Sequence, residues 1–233
     1  IVGMRAAACV VGGDGYLGQF VVDDLSRADS PFDVVYALAR RESTMTMTST
    51  SARVHRIVCD ITSAASCANA VRAMTSTPDD EDEVLRLVVN CAGMSSPGAC
   101  EKEPRLADAA NAPSTLWTAT AKATGANPPL WIQLSTDHVY DGTRAMSDES
   151  VTPNPVNAYG RSKVLCEETL AREYPRSVVL RSSIITGPKP PFVDVERTLF
   201  LDFIRESFEN KSERTTFYDD EFRSPICVYD VCA

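Results

Sequence analysis

The chain has 233 residues, 44% apolar and 24% charged, with a formal net charge of −9. This is the composition of a globular protein, long enough for one large domain or one domain with part of a second. The acidic balance argues against a nonspecific nucleic-acid binder, and no apolar run approaches the roughly 20 residues that span a bilayer.

Taken in chain order, strand-like and helix-like segments alternate. Ala6 to Val11 is a continuous apolar strand, Gly12 to Gly18 a tight turn, and Tyr16 to Ala28 a helix. Strands follow at Asp33 to Ala39 and Val54 to Cys59, then a helix at Ala64 to Met74 and a strand at Leu85 to Asn90. A long helix is expected from Leu106 to Thr124, ended by Gly125 and the prolines at 128 and 129. A fifth strand runs from Leu130 to Ser135. The helix from Ala158 to Tyr174 stops at Pro175, and a sixth strand runs from Ser177 to Ser182. Apolar strands separated by helices predict a parallel sheet covered on both faces, a doubly wound, Rossmann-like α/β fold. Glu42 to Ala52 and the acidic run from Thr77 to Glu83 read as solvated inserts. Pro188-Lys189-Pro190-Pro191 is a break, after which Leu199 to Phe208 predicts one more helix. The expected division is a dinucleotide-binding domain over 1–187 and a smaller, incomplete substrate lobe over 188–233. With Ile at position 1, the chain reads as a fragment of a longer protein.

The eight cysteines include no Cys-x-x-Cys, and the two histidines do not cluster with them. They are expected to be reduced, mostly buried thiols of a cytoplasmic protein, with no metal site. No signal peptide is expected, because Asp14 and its flanking glycines interrupt the first apolar stretch.

Between the first strand and its helix stand Gly12, Gly15 and Gly18, with Tyr16 and Leu17 inside the loop. Glycines there permit a sharp turn and let a pyrophosphate approach the helix N-terminus. The second strand ends in Arg40 and Arg41. Two guanidiniums suit a 2′-phosphate, which favours NADP(H) over NAD(H); a pair of surface arginines is the plainer reading. Asp60 is placed to accept from an adenine amine, with Ile61 beside the ring, or else Asp60 caps the next segment. Asn90, Cys91 and Ala92 end the fourth strand with small residues that let backbone pass close to a cofactor.

The fifth strand runs into Ser135-Thr136-Asp137-His138, where ligands bind in an open parallel sheet. A hydroxyl at Thr136 either orients a carbonyl oxygen or closes a local turn. Tyr159 and Lys163 lie four apart on a predicted helix and share one face. A neighbouring ammonium favours the ionised phenol, whose ordinary pKa is about 10. Together they predict a carbonyl-reducing site: Tyr159 gives the proton, Thr136 orients the oxygen, and Lys163 tunes the phenol and bonds the cofactor ribose.

Gly12 to Gly18, Ser135 to Gly142, and Pro153 to Lys163 resemble the extended short-chain dehydrogenase/reductase superfamily, and more closely the dTDP-4-dehydrorhamnose reductase family. Phe222-Arg223-Ser224-Pro225-Ile226 is similar to that family's segment leading into its substrate lobe. The resemblance implies NAD(P)H-dependent reduction of the 4-keto group of a dTDP-activated 6-deoxy sugar, with Thr136, Tyr159 and Lys163 as the catalytic trio. His138, and Met94 to Gly98, depart from the bacterial pattern. The chain also resembles the NADP-binding regulatory beta subunit of methionine adenosyltransferase. That resemblance implies a catalytic subunit as partner, where the reductases imply a nucleotide sugar and a possible homodimer. An epimerase or dehydratase of the same superfamily is a third alternative.

Overall fold

The computed structural model describes residues 4–42, 52–75, 83–195, 198–210 and 214–233. Most of both expected inserts, residues 43–51 and 77–82, lies outside the described residues. Six strands form one parallel sheet: β1 (Arg5–Val11), β2 (Val34–Ala39), β3 (Arg53–Val58), β4 (Glu83–Asn90), β5 (Leu130–Thr136) and β6 (Ser177–Ser182). Their order is β3-β2-β1-β4-β5-β6, the doubly wound Rossmann order. The helices between them are α1 (Tyr16–Leu25), α2 (Ala64–Thr75), α3 (Pro97–Lys102), α4 (Pro104–Asn111), α5 (Ser114–Thr124) and α6 (Ala158–Glu173).

Alternation along the strands divides the core. Ala7, Cys9 and Val11 of β1 face α2, α5 and α6, packing with Val71, Leu116, Trp117 and Leu170. Val10, Val35 and Ala37 point the other way and pack with Val21 and Val22 of α1. A parallel sheet needs this cover on both faces, so its central strands are apolar throughout. Trp131 of β5 is fully buried, 6.1 Å edge-on from Trp117 and 5.7 Å from Tyr174. Such ring pairs add about 0.5–1.5 kcal/mol each beyond area burial, and here they pin α5 and the end of α6 to the sheet.

The long helix expected from Leu106 to Thr124 is two helices, α4 and α5. Pro113 supplies no N–H and disfavours helical backbone at Ala112, whose φ of −120° and ψ of 72° close α4. The break matters for the site, because it lets Asn111 turn inward. The short helix α3 carried no periodic signal; Ser96 caps it through the Ala99 N–H, and Pro97 opens it.

Beyond β6 the chain builds a smaller unit: β7 (Ile185–Thr186), α7 (Phe200–Glu209), β8 (Ile226–Cys227) and α8 (Val228–Cys232). β7 and β8 pair in parallel. α8 packs on α1, with Val228 buried against Tyr16 and Phe20 and the Tyr229 ring 5.5 Å edge-on from Phe20. Gln19 of α1 is fully buried and ties the first helix to the segment between β7 and α7. Its Nε2 donates to the carbonyls of Asp14 and Val193, and its Oε1 accepts from the N–H groups of Phe192 and Val193. Cys9, Cys59, Cys67, Cys100 and Cys166 are buried and Cys227 is exposed. Among the described residues, no helix is long and apolar enough to cross a membrane.

Candidate active site

The strand order reverses between β1 and β4, and in an open parallel sheet ligands bind at the carboxyl ends of the strands at such a reversal. The glycine loop lies there, directly after β1. Gly12 adopts φ +78°, and its N–H, like that of Gly13, donates to the Leu38 carbonyl. A Cβ on Gly18 would stand 2.0 Å from the Gly12 carbonyl oxygen, so α1 can start this close to β1 only without one. Gly15 is the N-cap of α1 and supplies no side-chain acceptor, leaving the first-turn N–H groups without a side-chain cap. A Cβ on Gly15 would meet only the Gly12 oxygen within 4 Å, at 3.2 Å. That open N-terminus, flanked by Tyr16, Leu17 and Gly18, fits a dinucleotide pyrophosphate. Beside it a cavity of about 190 Å³ is lined by Tyr16, Gly187, Lys189, Leu199 and Arg205 among others.

Arg40 and Arg41 are exposed at the end of β2. Asp60 lies near enough to Arg40 to feel its charge. Its pKa is held below the ordinary carboxylate value by the Thr62 hydroxyl and N–H, which both bond Oδ1, and less by Arg40. Asp60 thus caps its own turn through Oδ1. Ile61 is half-buried against the core, and its carbonyl accepts from Thr115. Asn90 is fully buried and braces two strands, donating to Gln133 Oε1 at 2.9 Å while its Oδ1 accepts from the Ala92 N–H. The Cys91 and Ala92 side chains pack against the two core clusters, so what is left at this strand end is their backbone. Burial pushes the Cys91 thiol up to about 12, which keeps it protonated.

Thr136 is the last residue of β5 and is buried. Its Oγ1 accepts from the His138 N–H at 3.2 Å and donates to Asp137 Oδ1 at 3.3 Å. Tyr159 and Lys163 both lie in the first two turns of α6, as their spacing predicts. Asn157 caps that helix through the Gly160 N–H at 2.8 Å. Lys163 is buried and donates to the Leu134 carbonyl at 2.9 Å. Burial, opposed by nearby Cys166, Cys91 and Glu167, lowers its pKa below the ordinary lysine value. His138 joins the other two candidates: its N–H bonds Thr136, and its ring meets Tyr159 edge-on at 5.4 Å.

Asn111, which sequence reasoning passed over, completes the arrangement. Its Oδ1 accepts from the Met94 N–H, and its Nδ2 donates to the Met94 carbonyl and to Ser162 Oγ. Ser162 in turn donates to the Tyr159 carbonyl. One buried amide thus fixes the loop after β4 against the turn of α6 that carries the phenol. The available signal was Pro113 two residues later.

α6 approaches the turn after β5 closely at Gly160, where a Cβ would stand 2.2 Å from the His138 carbonyl oxygen and 2.8 Å from Pro155 Cβ. Gly160→Ala is therefore expected to push the helix off the strand end and cost about 1–3 kcal/mol. A thermal melt within a degree of wild type would contradict this.

Two charged groups support the strand end. Glu167 accepts from Ser135 Oγ and binds the Arg181 guanidinium through both oxygens, at 2.6 Å to Nη2. Arg181 also donates to Tyr140 Oη at 2.8 Å. Arg223, from the segment before β8, donates to Asp137 Oδ2 at 2.9 Å and lies 2.8 Å from His138 Nε2. Sequence reasoning singled out neither Glu167 nor Arg181.

A Rossmann-type sheet with a glycine loop, and a Tyr and Lys converging on the end of β5, define a protein of the short-chain dehydrogenase/reductase type. The chain belongs to the RmlD substrate binding domain family, which matches residues 7–233. Among solved structures it is similar to a dTDP-4-dehydrorhamnose reductase from Bacillus anthracis in complex with NADP. The TM-score is 0.71 at 20% identity, covering 100% of this chain and 70% of that one. Among curated proteins it is 27% identical over 153 residues to methionine adenosyltransferase 2 subunit beta of Xenopus tropicalis, covering 66% of this chain and 44% of the relative. It is 35% identical over 106 residues to a probable low-salt glycan biosynthesis reductase of Haloferax volcanii, covering 44% of this chain and 34% of that protein. The matched stretches thus span less than half the length of these curated relatives.

Proposed function

We propose that this chain carries the centre of an NADPH-dependent reductase acting on the 4-keto group of a nucleotide-activated 6-deoxy sugar. The observation that carries the reading is Lys163, buried at the end of β5 on the helix face that also bears Tyr159. Bound NADPH would supply the hydride. Tyr159 donates the proton to the carbonyl oxygen, and Thr136 Oγ1 donates a hydrogen bond to the same oxygen, giving up its long contact with Asp137. Lys163 lends its charge to the phenol and bonds the nicotinamide ribose. Gly12, Gly15, Tyr16, Leu17 and Gly18 hold the pyrophosphate, Asp60 and Ile61 flank the adenine, and the backbone of Cys91 and Ala92, braced from behind by buried Asn90, forms the wall beneath the nicotinamide side. The similarity to a reductase crystallised with NADP supports the cofactor class. The test is NADPH consumption by the full-length protein with a dTDP-4-keto-6-deoxy sugar; tight NADPH binding without turnover would overturn the reading.

Arg40 and Arg41 carry the preference for NADPH by meeting its 2′-phosphate. Losing a charge-assisted bond costs about 1.5–3 kcal/mol, so replacing either one with Ala should weaken NADPH binding roughly 10–100-fold and leave NADH nearly unaffected. Fluorescence titration with the two cofactors measures it, and equal losses for both would refute the assignment.

A second reading is an NADP-binding regulatory subunit that docks on a methionine adenosyltransferase catalytic subunit, supported by the similarity to subunit beta. Altered kinetics of that enzyme on mixing, with no sugar reduction, would favour it.

A further inference from the structure

The cavity beside the glycine loop lies between the chain that leaves β7 and the start of α7, and it holds about 190 Å³. Pockets that enclose a whole small-molecule ligand hold about 300–1,000 Å³, so this one accommodates part of a molecule. Its lining is mostly apolar, with three charged side chains: Lys189, Asp202 and Arg205. Arg205 Nη2 donates to Asp202 Oδ1 at 2.8 Å, so these two charges answer each other. Lys189 has no hydrogen bond or ion pair with any described residue. The hydroxyls of the lining are already engaged. Tyr16 Oη donates to the Pro188 carbonyl at 3.1 Å, and Thr186 Oγ1 to the Ile226 carbonyl at 3.4 Å. Among the described lining residues, the charge left without a counterpart is therefore positive, in a chain whose net charge is −9. β6 leads to it from the reacting centre. Ser182 pairs with Thr136 across the sheet, and Ile185, which lines the cavity, stands three positions further on, about 10 Å of extended chain.

We propose that this cavity is the subsite for the diphosphate of the substrate, with Lys189 as its direct contact and Arg205 as a second contact that Asp202 restrains. The identity of the ligand rests on the reductase reading. In a 4-keto hexose the diphosphate leaves C1, across the ring from the carbonyl carbon. With the carbonyl at Thr136 and Tyr159, the sugar ring spans the interval along β6 and its phosphates meet the cavity. A lysine ammonium is a mobile point charge with three donors, suited to a phosphate that arrives from solvent. Asp202 competes with that phosphate for the Arg205 guanidinium. Removing an ammonium should therefore loosen the ligand and removing the carboxylate should tighten it, a reversal of sign that a purely structural role for these side chains would not produce.

Calorimetric titration of the full-length protein with free dTDP measures the subsite without turnover. Lys189→Gln should weaken dTDP roughly tenfold, the loss of one charge-assisted contact at an open site, and Lys189→Arg should stay near wild type. Asp202→Asn should strengthen dTDP about threefold, and Arg205→Gln should weaken it by a similar factor. NADPH affinity should be the same in all four variants. In turnover, Lys189→Gln should raise KM for the dTDP-4-keto-6-deoxy sugar with kcat nearly unchanged, because this contact is made alike in the ground and transition states. Inorganic phosphate and NADPH separate the other sources of the same chemistry. Phosphate that displaces dTDP at equal concentration would leave only a general anion site. A loss of NADPH affinity in Lys189→Gln, with dTDP unchanged, would assign the cavity to the cofactor. Either result overturns the proposal, as does equal dTDP affinity in wild type and Lys189→Gln. If dTDP binding follows the expected charge pattern and no sugar is reduced, the subsite stands and the reductase reading falls.

Discussion

Replacing Tyr159 with Phe is expected to lower turnover by roughly 10²–10⁴-fold, the range that loss of a positioned proton donor produces. NADPH affinity should be essentially unchanged. The phenylalanine ring keeps the edge-on contact with His138, and Lys163 keeps its bond to the Leu134 carbonyl, so the pocket retains its shape. The loss should appear in kcat more than in KM, because the missing bond forms as the proton moves. NADPH absorbance gives the rate and fluorescence quenching the affinity. Full activity in Tyr159→Phe would remove the phenol from the mechanism.

The largest stability effect is expected at Glu167. Its side chain is 11% exposed and that of Arg181 21%, so the pair is largely withdrawn from water. Glu167→Ala would leave the guanidinium without its bidentate acceptor and Ser135 without its own. Breaking one half of a buried pair costs about 3 kcal/mol, the lower end of the range given this partial exposure. For a chain of this size that is a fall in Tm of roughly 6–12 °C. Removing both partners, with Arg181→Leu added, should recover part of the loss, because no charge is then stranded. A Tm for Glu167→Ala equal to wild type would mean that water already screens the pair.

The sheet was legible because its signal is local. Parallel strands buried on two faces are written as unbroken apolar runs, and each of the six expected strands is found within two residues of its expected ends. The i,i+4 spacing of Tyr159 and Lys163 and the placement of the glycine loop were legible for the same reason. The misreadings came where tertiary structure outweighed pattern. The apolar periodicity from Leu106 to Thr124 continues across Pro113, yet the proline stops α4 and frees Asn111 to bind Met94 and Ser162. Nothing in a helix-breaking proline names the amide that profits from it. Arg181 and Glu167 meet because β6 lies beside β5 under α6, a proximity that 14 residues of separation along the chain do not reveal. Asp60 had two readings, and its Oδ1 is used by Thr62, the capping role, while Arg40 lies near enough for its charge to reach the carboxylate.

Gln19 carries a consequence for the order in which the protein is made. It is the residue after the glycine loop, yet the groups that satisfy its buried amide belong to Phe192 and Val193, up to 174 positions later. During synthesis at about 5–20 residues per second, roughly ten seconds or more separate the emergence of the two. Until the later segment arrives, that amide has only the Asp14 carbonyl as a partner, and the start of α1 is held from one side. The glycine loop therefore reaches its final rigidity only after the segment that follows the sixth strand has left the ribosome.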